Sequence, residues 1–183
     1  NTVVVGGWGI GGGINMGAIE EVVIDLGANA AGLSTAGTPI NFIPKEGGNR
    51  FSGNVFVSFN NDAMQGSNFS QDLKDRGLRS PDSVKMNWDF NPSFGGPIRK
   101  DRLFFFFSSR TNRADNYVAD MFLNLNANNP DKWVYEPDLS RPAANEHIWT
   151  DNQLRLTWQA SQRNKIALMY MHNTQCRCTA TAS

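Results

Sequence analysis

From Val84 to Phe94 the chain alternates between apolar and polar side chains. Val84, Met86, Trp88, Phe90, Pro92 and Phe94 fall on one register, and Lys85, Asn87, Asp89, Asn91 and Ser93 on the other. A β-strand turns successive side chains to opposite faces, so this pattern predicts a strand with one apolar and one wet face. A turn carrying Gly95, Gly96 and Pro97 and the charged group Arg99, Lys100, Asp101 and Arg102 is expected next. A second strand, residues 103–107, follows and is apolar and aromatic on both faces.

The same alternation recurs. Phe51, Gly53, Val55, Val57 and Phe59 oppose Ser52, Asn54, Ser58 and Asn60, with Phe56 the one exception. At ~3.4 Å per residue, about ten residues tilted near ~45° can cross an apolar layer of about 25 Å. Met121, Leu123 and Leu125 share one face of residues 119–125. Leu154, Leu156, Trp158 and Ala160 alternate with Arg155, Thr157, Gln159 and Ser161. After a polar turn at 162–165, Ile166, Leu168 and Tyr170 alternate with Ala167, Met169 and Met171. The tail, CRCTATAS, has no strand pattern.

Short connections at 46–50 and 97–102 alternate with long polar segments at 61–83 and 126–145, the latter containing Pro130, Pro137 and Pro142. Connections beyond about 12–15 residues are usually functional or disordered. Sequential pairing gives an all-β, antiparallel up-and-down meander. Short turns on one side, long loops on the other and dense aromatics suit a partial transmembrane β-barrel in an outer membrane, with lipid as partner.

Composition narrows the alternatives. Lys plus Arg and Asp plus Glu number 17 each, so the basic excess of a nucleic-acid binder is absent. No run of about 18 apolar residues exists, which excludes a transmembrane helix but not a barrel. Residues 1–17 are glycine-rich, 19–26 read as a short strand or helix-to-strand junction, and 27–37 as a loop. Glu20 and Glu21 are expected on an exposed edge of that strand. Residues 38–45 read as a strand interrupted by Pro39 and Pro44, hence at an edge. The chain begins at Asn1 without a signal peptide, and an internal piece of a longer protein is expected.

Chemistry-bearing motifs are sparse. Gly7, Gly9 and Gly12 fit G-x-G-x-x-G, but a dinucleotide loop needs a following helix, and residues 13–19 are poor helix formers. His147 and His172 stand apart from cysteines and paired carboxylates, and His172 is read as ending a strand. Cys176 and Cys178 read as incidental thiols of a terminal loop. Asp62, Asp72, Asp75 and Asp82 lack EF-hand spacing and read as a solvated loop. No enzyme, cofactor or metal site is expected.

Three stretches resemble TonB-dependent outer-membrane receptors. GTPINFIPKEGGNRFSGNVFVSFNNDAM, residues 37–64, resembles their plug-to-barrel junction at Gly37, Ile40, Asn41, Pro44, Lys45, Gly47, Asn49, Phe51 and Gly53. FGGPIRKDRLFFF, residues 94–106, resembles an early barrel motif of the large, Oar-like receptors with a carboxypeptidase-regulatory-like domain. AIEEVVIDLG, residues 18–27, resembles a late plug strand. The resemblance implies a plug end at residues 1–48 and the first strands of an incomplete barrel at 49–183. It further implies a barrel of about 22 strands in the outer membrane of a Gram-negative bacterium. Such receptors use force from TonB to import a scarce solute such as a siderophore, glycan, peptide or vitamin. The TonB box, most of the plug and most wall strands are lacking here, and Pro44 stands where the family usually has Thr.

The alternative is a soluble β-sandwich carbohydrate-binding module that stacks sugars on Trp88, Trp133, Trp149 and Trp158. The two differ in burial. A sandwich buries Phe51, Val55, Val57, Phe59, Leu154, Leu156 and Trp158 in one core, whereas a barrel turns them outward. Ligand-binding residues are unknown at this level, with the loop aromatics Trp133 and Tyr135 as candidates only.

Overall fold

The computed structural model describes residues 14–24 and 40–179. The glycine motif at 7–12 and the loop expected at 27–37 lie outside them. A single 3-10 turn, Met16–Ala18, capped by the Asn15 side chain, leads into β1, Ile19–Ile24. This strand pairs antiparallel with β2, Ile40–Pro44, so Pro44 sits at a strand end, where its missing N–H costs nothing. Glu20 and Glu21 are exposed on β1.

Five longer strands follow: β3 Ser52–Asn61, β4 Ser83–Arg99, β5 Leu103–Asn124, β6 Pro137–Gln159 and β7 Lys165–Thr179. They form one sheet in the order β3-β4-β5-β6-β7, an antiparallel up-and-down meander. Among the described residues β3 and β7 are its edges, and the sheet is not closed.

The strands outrun the apolar patterns that announce them. β5 is continuous for 22 residues, joining the segments expected at 103–107 and 119–125 through the polar stretch between them. β6 starts at Pro137, inside the segment read as a loop, which shortens that loop to 125–136. β7 runs on through Cys176 and Cys178, so the tail is strand up to Thr179 and His172 lies mid-strand. The two cysteines, alternate residues on one face of β7, are joined as a disulfide with Cα atoms 5.4 Å apart. They are therefore neither loop residues nor free thiols.

The expected glycine turn also moves. Gly95, Gly96 and Pro97 belong to β4, and the reversal is made by Lys100, Asp101 and Arg102. Asp101 takes the left-handed conformation, φ 60°, that Asp tolerates in tight turns.

The described residues divide into two compact units. The first gathers 14–24, 40–55, 91–110 and 151–174. It holds the turns at 100–102 and 160–164 and explains the glycines. The rings of Phe51 and Phe94 stack with centroids 5.8 Å apart, and Phe105 tilts against both. A Cβ on Gly96 would fall 2.1 Å from Cδ1 of Phe51, and one on Gly53 would fall 3.1 Å from Cδ2 of Phe94. Each aromatic therefore lies over the other strand's glycine. A Cβ on Gly47 would fall 2.1 Å from the Phe105 carbonyl oxygen, so the linker crosses the sheet backbone too closely for any side chain.

The second unit gathers 56–90, 111–150 and 175–179. Its loop at 62–82 is folded. It contains a short helix, α1, Gln71–Asp75, whose first turn is capped by Ser70. Asp120 Oδ1 accepts from the backbone N–H groups of Arg79 and Ser80, both at 2.8 Å, and Ser80 Oγ accepts from the Asp120 N–H at 3.0 Å. Asp82 Oδ1 accepts from the Ala119 N–H at 2.6 Å, and Gln65 Oε1 from the Val84 N–H at 2.7 Å.

Candidate functional site

Over residues 89–94 of β4 and 151–158 of β6 the polar register is the buried one and the apolar register the exposed one, while β3 is exposed on both registers through Asn60. Phe51, Val55, Val57, Phe59, Leu154 and Trp158 are exposed, Val57 to 65%, and Leu156 is half-buried. The buried polar positions of the sheet are Asp89, Asn91 and Ser93 of β4, Ser108 and Asp115 of β5, and Asp151, Gln153 and Thr157 of β6, with the apolar Phe106, Phe122, Ala143, Ala144 and Trp149 buried beside them. A soluble sandwich requires the reverse, because its apolar faces must leave water together. This inversion does not favour the reading as a soluble carbohydrate-binding module. The four tryptophans expected to form its platform are not brought together. Trp149 is buried, Trp158 is exposed on β6, Trp88 is half-buried on β4, and Trp133 stands in the 125–136 loop.

In the first unit a short segment is hydrogen-bonded across this polar face. Asn15, only 1% exposed, uses both ends of its amide. Its Oδ1 accepts from Asn91 Nδ2 at 2.8 Å and from the Gly17 N–H at 3.1 Å. Its Nδ2 donates to Asp151 Oδ1 at 3.1 Å and to Ser108 Oγ at 3.5 Å. Gln153 Nε2 donates to the same Asp151 oxygen at 2.8 Å. A Cβ on Gly17 would lie 2.7 Å from Asn91 Nδ2, so glycine is what lets the turn approach the wall.

A second set of bonds holds the linker. Lys45 Nζ donates to the Gly17 carbonyl at 3.2 Å, and Arg155 Nη1 to the Pro44 carbonyl at 2.9 Å. Glu46 receives Arg155 Nη2 at 3.3 Å and Lys165 Nζ at 2.6 Å. Asn49 Nδ2 donates to Asp101 Oδ1 at 2.7 Å, while Asn49 Oδ1 accepts from the Asp101 N–H at 2.8 Å.

In the second unit a charged ladder crosses β4, β5 and β6. Arg113 Nε reaches both Asp115 oxygens, at 3.0 and 2.8 Å, and its Nη2 reaches Glu146 at 3.1 Å. Lys85 Nζ lies 3.3 Å from the other Glu146 oxygen and 5.9 Å above the Tyr117 ring. Asp115 is fully buried, which the charged Arg113 Nε–H shared between its two oxygens makes tolerable. Sequence reasoning missed this ladder. The signal available was the placement of Lys85 on the wet register of β4.

The acidic residues of the first loop are not gathered. Asp62 caps the Ala63 N–H, Asp72 pairs with Arg76, Asp75 accepts from Gln71, and Asp82 accepts from Ala119. His147 meets only Gln175, with Nε2 atoms 2.6 Å apart.

Residues 43–128 match the family model described as an outer membrane beta barrel domain. The chain is an outer-membrane β-barrel protein. Its place is the outer membrane of a Gram-negative bacterium. No curated protein and no solved structure gives a significant match. The matched region starts within β2 and runs through β3, β4 and β5. In this barrel protein the inverted burial has its physical cause: the polar register belongs to the lumen and the apolar one to the outer face.

Proposed function

We propose that this chain is the plug end and early wall of a TonB-dependent receptor that imports a scarce solute. The observation that supports this reading is Asn15, buried against the polar wall and bonded to Asn91, Ser108 and Asp151. A polar barrel lumen can be closed by a segment seated against its wall. The ties suit a plug that must yield to force. Neutral hydrogen bonds contribute about 1 kcal/mol each, and partly exposed ion pairs such as those of Glu46 about 0–1 kcal/mol. They are enough to seat the segment and weak enough to break one after another.

In this reading the apolar face meets outer-membrane lipid, and the aromatic cluster of Phe51, Phe94 and Phe105 sits in an interfacial girdle. Unpaired strand edges are not viable in lipid, so further strands pair with β3 and β7. The loops at 62–82 and 125–136 face the cell exterior and capture the solute. TonB then pulls on the plug domain.

The test uses the native protein purified in detergent. Capture of the periplasmic domain of TonB, together with a closed state in planar bilayers, is the expected result. A steady open conductance with no TonB binding makes the protein a passive channel and ends the proposal.

A further inference from the structure

The loop between β5 and β6 is both preorganised and conspicuously displayed. Asn124 Oδ1 accepts from the N–H groups of Asn126 and Glu136, each at 3.0 Å, and Asn126 Nδ2 donates to the Val134 carbonyl at 2.8 Å. The Leu125 N–H donates to the Glu136 carbonyl at 2.8 Å, and Tyr135 Oη to the Phe122 carbonyl at 3.0 Å. Asn128 takes φ 65°, the left-handed conformation open to asparagine. A loop closed by so many bonds has given up its conformational freedom before any ligand arrives.

On this frame Trp133 is 92% exposed and its neighbour Val134 is 74% exposed. A large indole left in water costs free energy that a folded loop normally recovers by tucking the ring away. Here the tether is made two residues on, by Tyr135. Beside the indole lies an open cleft of about 420 Å³, lined among others by Asn124, Asn126, Asn128, Asn129, Lys132 and Trp133. Among the described residues, the Asn128 amide and the amino groups of Asn124 and Asn129 make no hydrogen bond to protein.

We propose that this loop is a binding site for a neutral pyranose ring. The flat, electron-rich indole face matches the axial C–H face of a sugar. The Asn128 amide presents a donor and an acceptor side by side, which suits a pair of adjacent hydroxyls, and the amino groups of Asn124 and Asn129 add two further donors. Four of the eight lining residues are asparagines, with one Lys and no carboxylate among them. That composition favours an uncharged polyhydroxyl ligand over an anionic or strongly cationic one. The ring belongs either to a free oligosaccharide or to the polysaccharide chain of a neighbouring lipopolysaccharide. The inference rests on the loop alone and stands whether or not import is driven by TonB.

The test titrates the native protein in detergent micelles with maltohexaose, xylohexaose and mannohexaose, and separately with liposomes bearing smooth lipopolysaccharide. Saturable binding in one arm is expected and identifies the source of the sugar. Trp133→Ala should weaken that binding about tenfold or more, and Trp133→Phe should retain more of it. Asn128→Gly, which keeps the left-handed backbone, should weaken it with the loop still folded, judged by unchanged protease resistance of residues 125–136. Absence of binding in every arm, or binding indifferent to Trp133→Ala, overturns the proposal. TonB capture is read separately, so the two conclusions fail independently.

Discussion

At the scale of single residues, the glycines and one asparagine do the positioning. Gly47 and Gly96 both exclude a side chain, but for different reasons. A Cβ on Gly47 meets backbone, the Phe105 carbonyl oxygen, whereas on Gly96 it meets the ring of Phe51, a side chain 64% exposed and free to swing. Gly47→Ala should therefore cost more than Gly96→Ala. The first should lose about 1–3 kcal/mol or more through forced displacement, and the second about 1 kcal/mol through lost ring contact. Urea unfolding of the native protein reassembled in detergent checks the order, and equal losses would contradict the geometry. Asn15→Ala leaves the Asn91 amino group without its partner on a buried face and removes one of the two amides that donate to Asp151 Oδ1, an expected loss of about 1–3 kcal/mol. That loss should appear as faster hydrogen exchange at residues 14–18 with the wall strands unchanged.

At the scale of elements, alternation is the rule that β3 obeys most openly. Val57 and Ser58 are neighbours on opposite faces of β3. Val57→Arg puts a charge on the apolar face, at a cost of about 2–4 kcal/mol near the midplane, while Ser58→Arg on the polar face should cost little. Folding yield into lipid vesicles separates them, and similar yields would show that β3 does not cross the bilayer. The long loops are also elements in their own right. The 62–82 loop hangs on Asp120, which anchors two backbone N–H groups. Asp120→Ala should make that loop the first site of proteolysis, and Asp120→Asn should restore protection because its carbonyl oxygen still accepts.

At the scale of the whole molecule, the decisive fact is which register is buried. Water sets the rule for a soluble sheet, and lipid reverses it for a barrel wall. The charged ladder of Lys85, Glu146, Arg113 and Asp115 would be costly in a soluble core, and belongs on a face that looks into a polar lumen. The native protein should consequently require detergent or lipid to stay dispersed. It should also show a folded band in unheated gel samples that shifts on boiling.

The residue pattern alone sufficed for the cores of the long strands, their order and the two-sidedness of the wall, because a period of two is written residue by residue. It also placed a short connection at 46–50, which lies between β2 and β3. It did not determine where strands end. The polar stretch between Ser108 and Val118 carries no apolar stripe, and only its partners on β4 and β6 make it strand. Nor did it show that Asn15 would meet Asp151, 136 positions away, or that Gly96 would shelter Phe51 rather than turn the chain. Those contacts join residues that no local pattern relates. Tertiary structure decided them because hydrogen-bond geometry and close approach exist only once the strands are side by side.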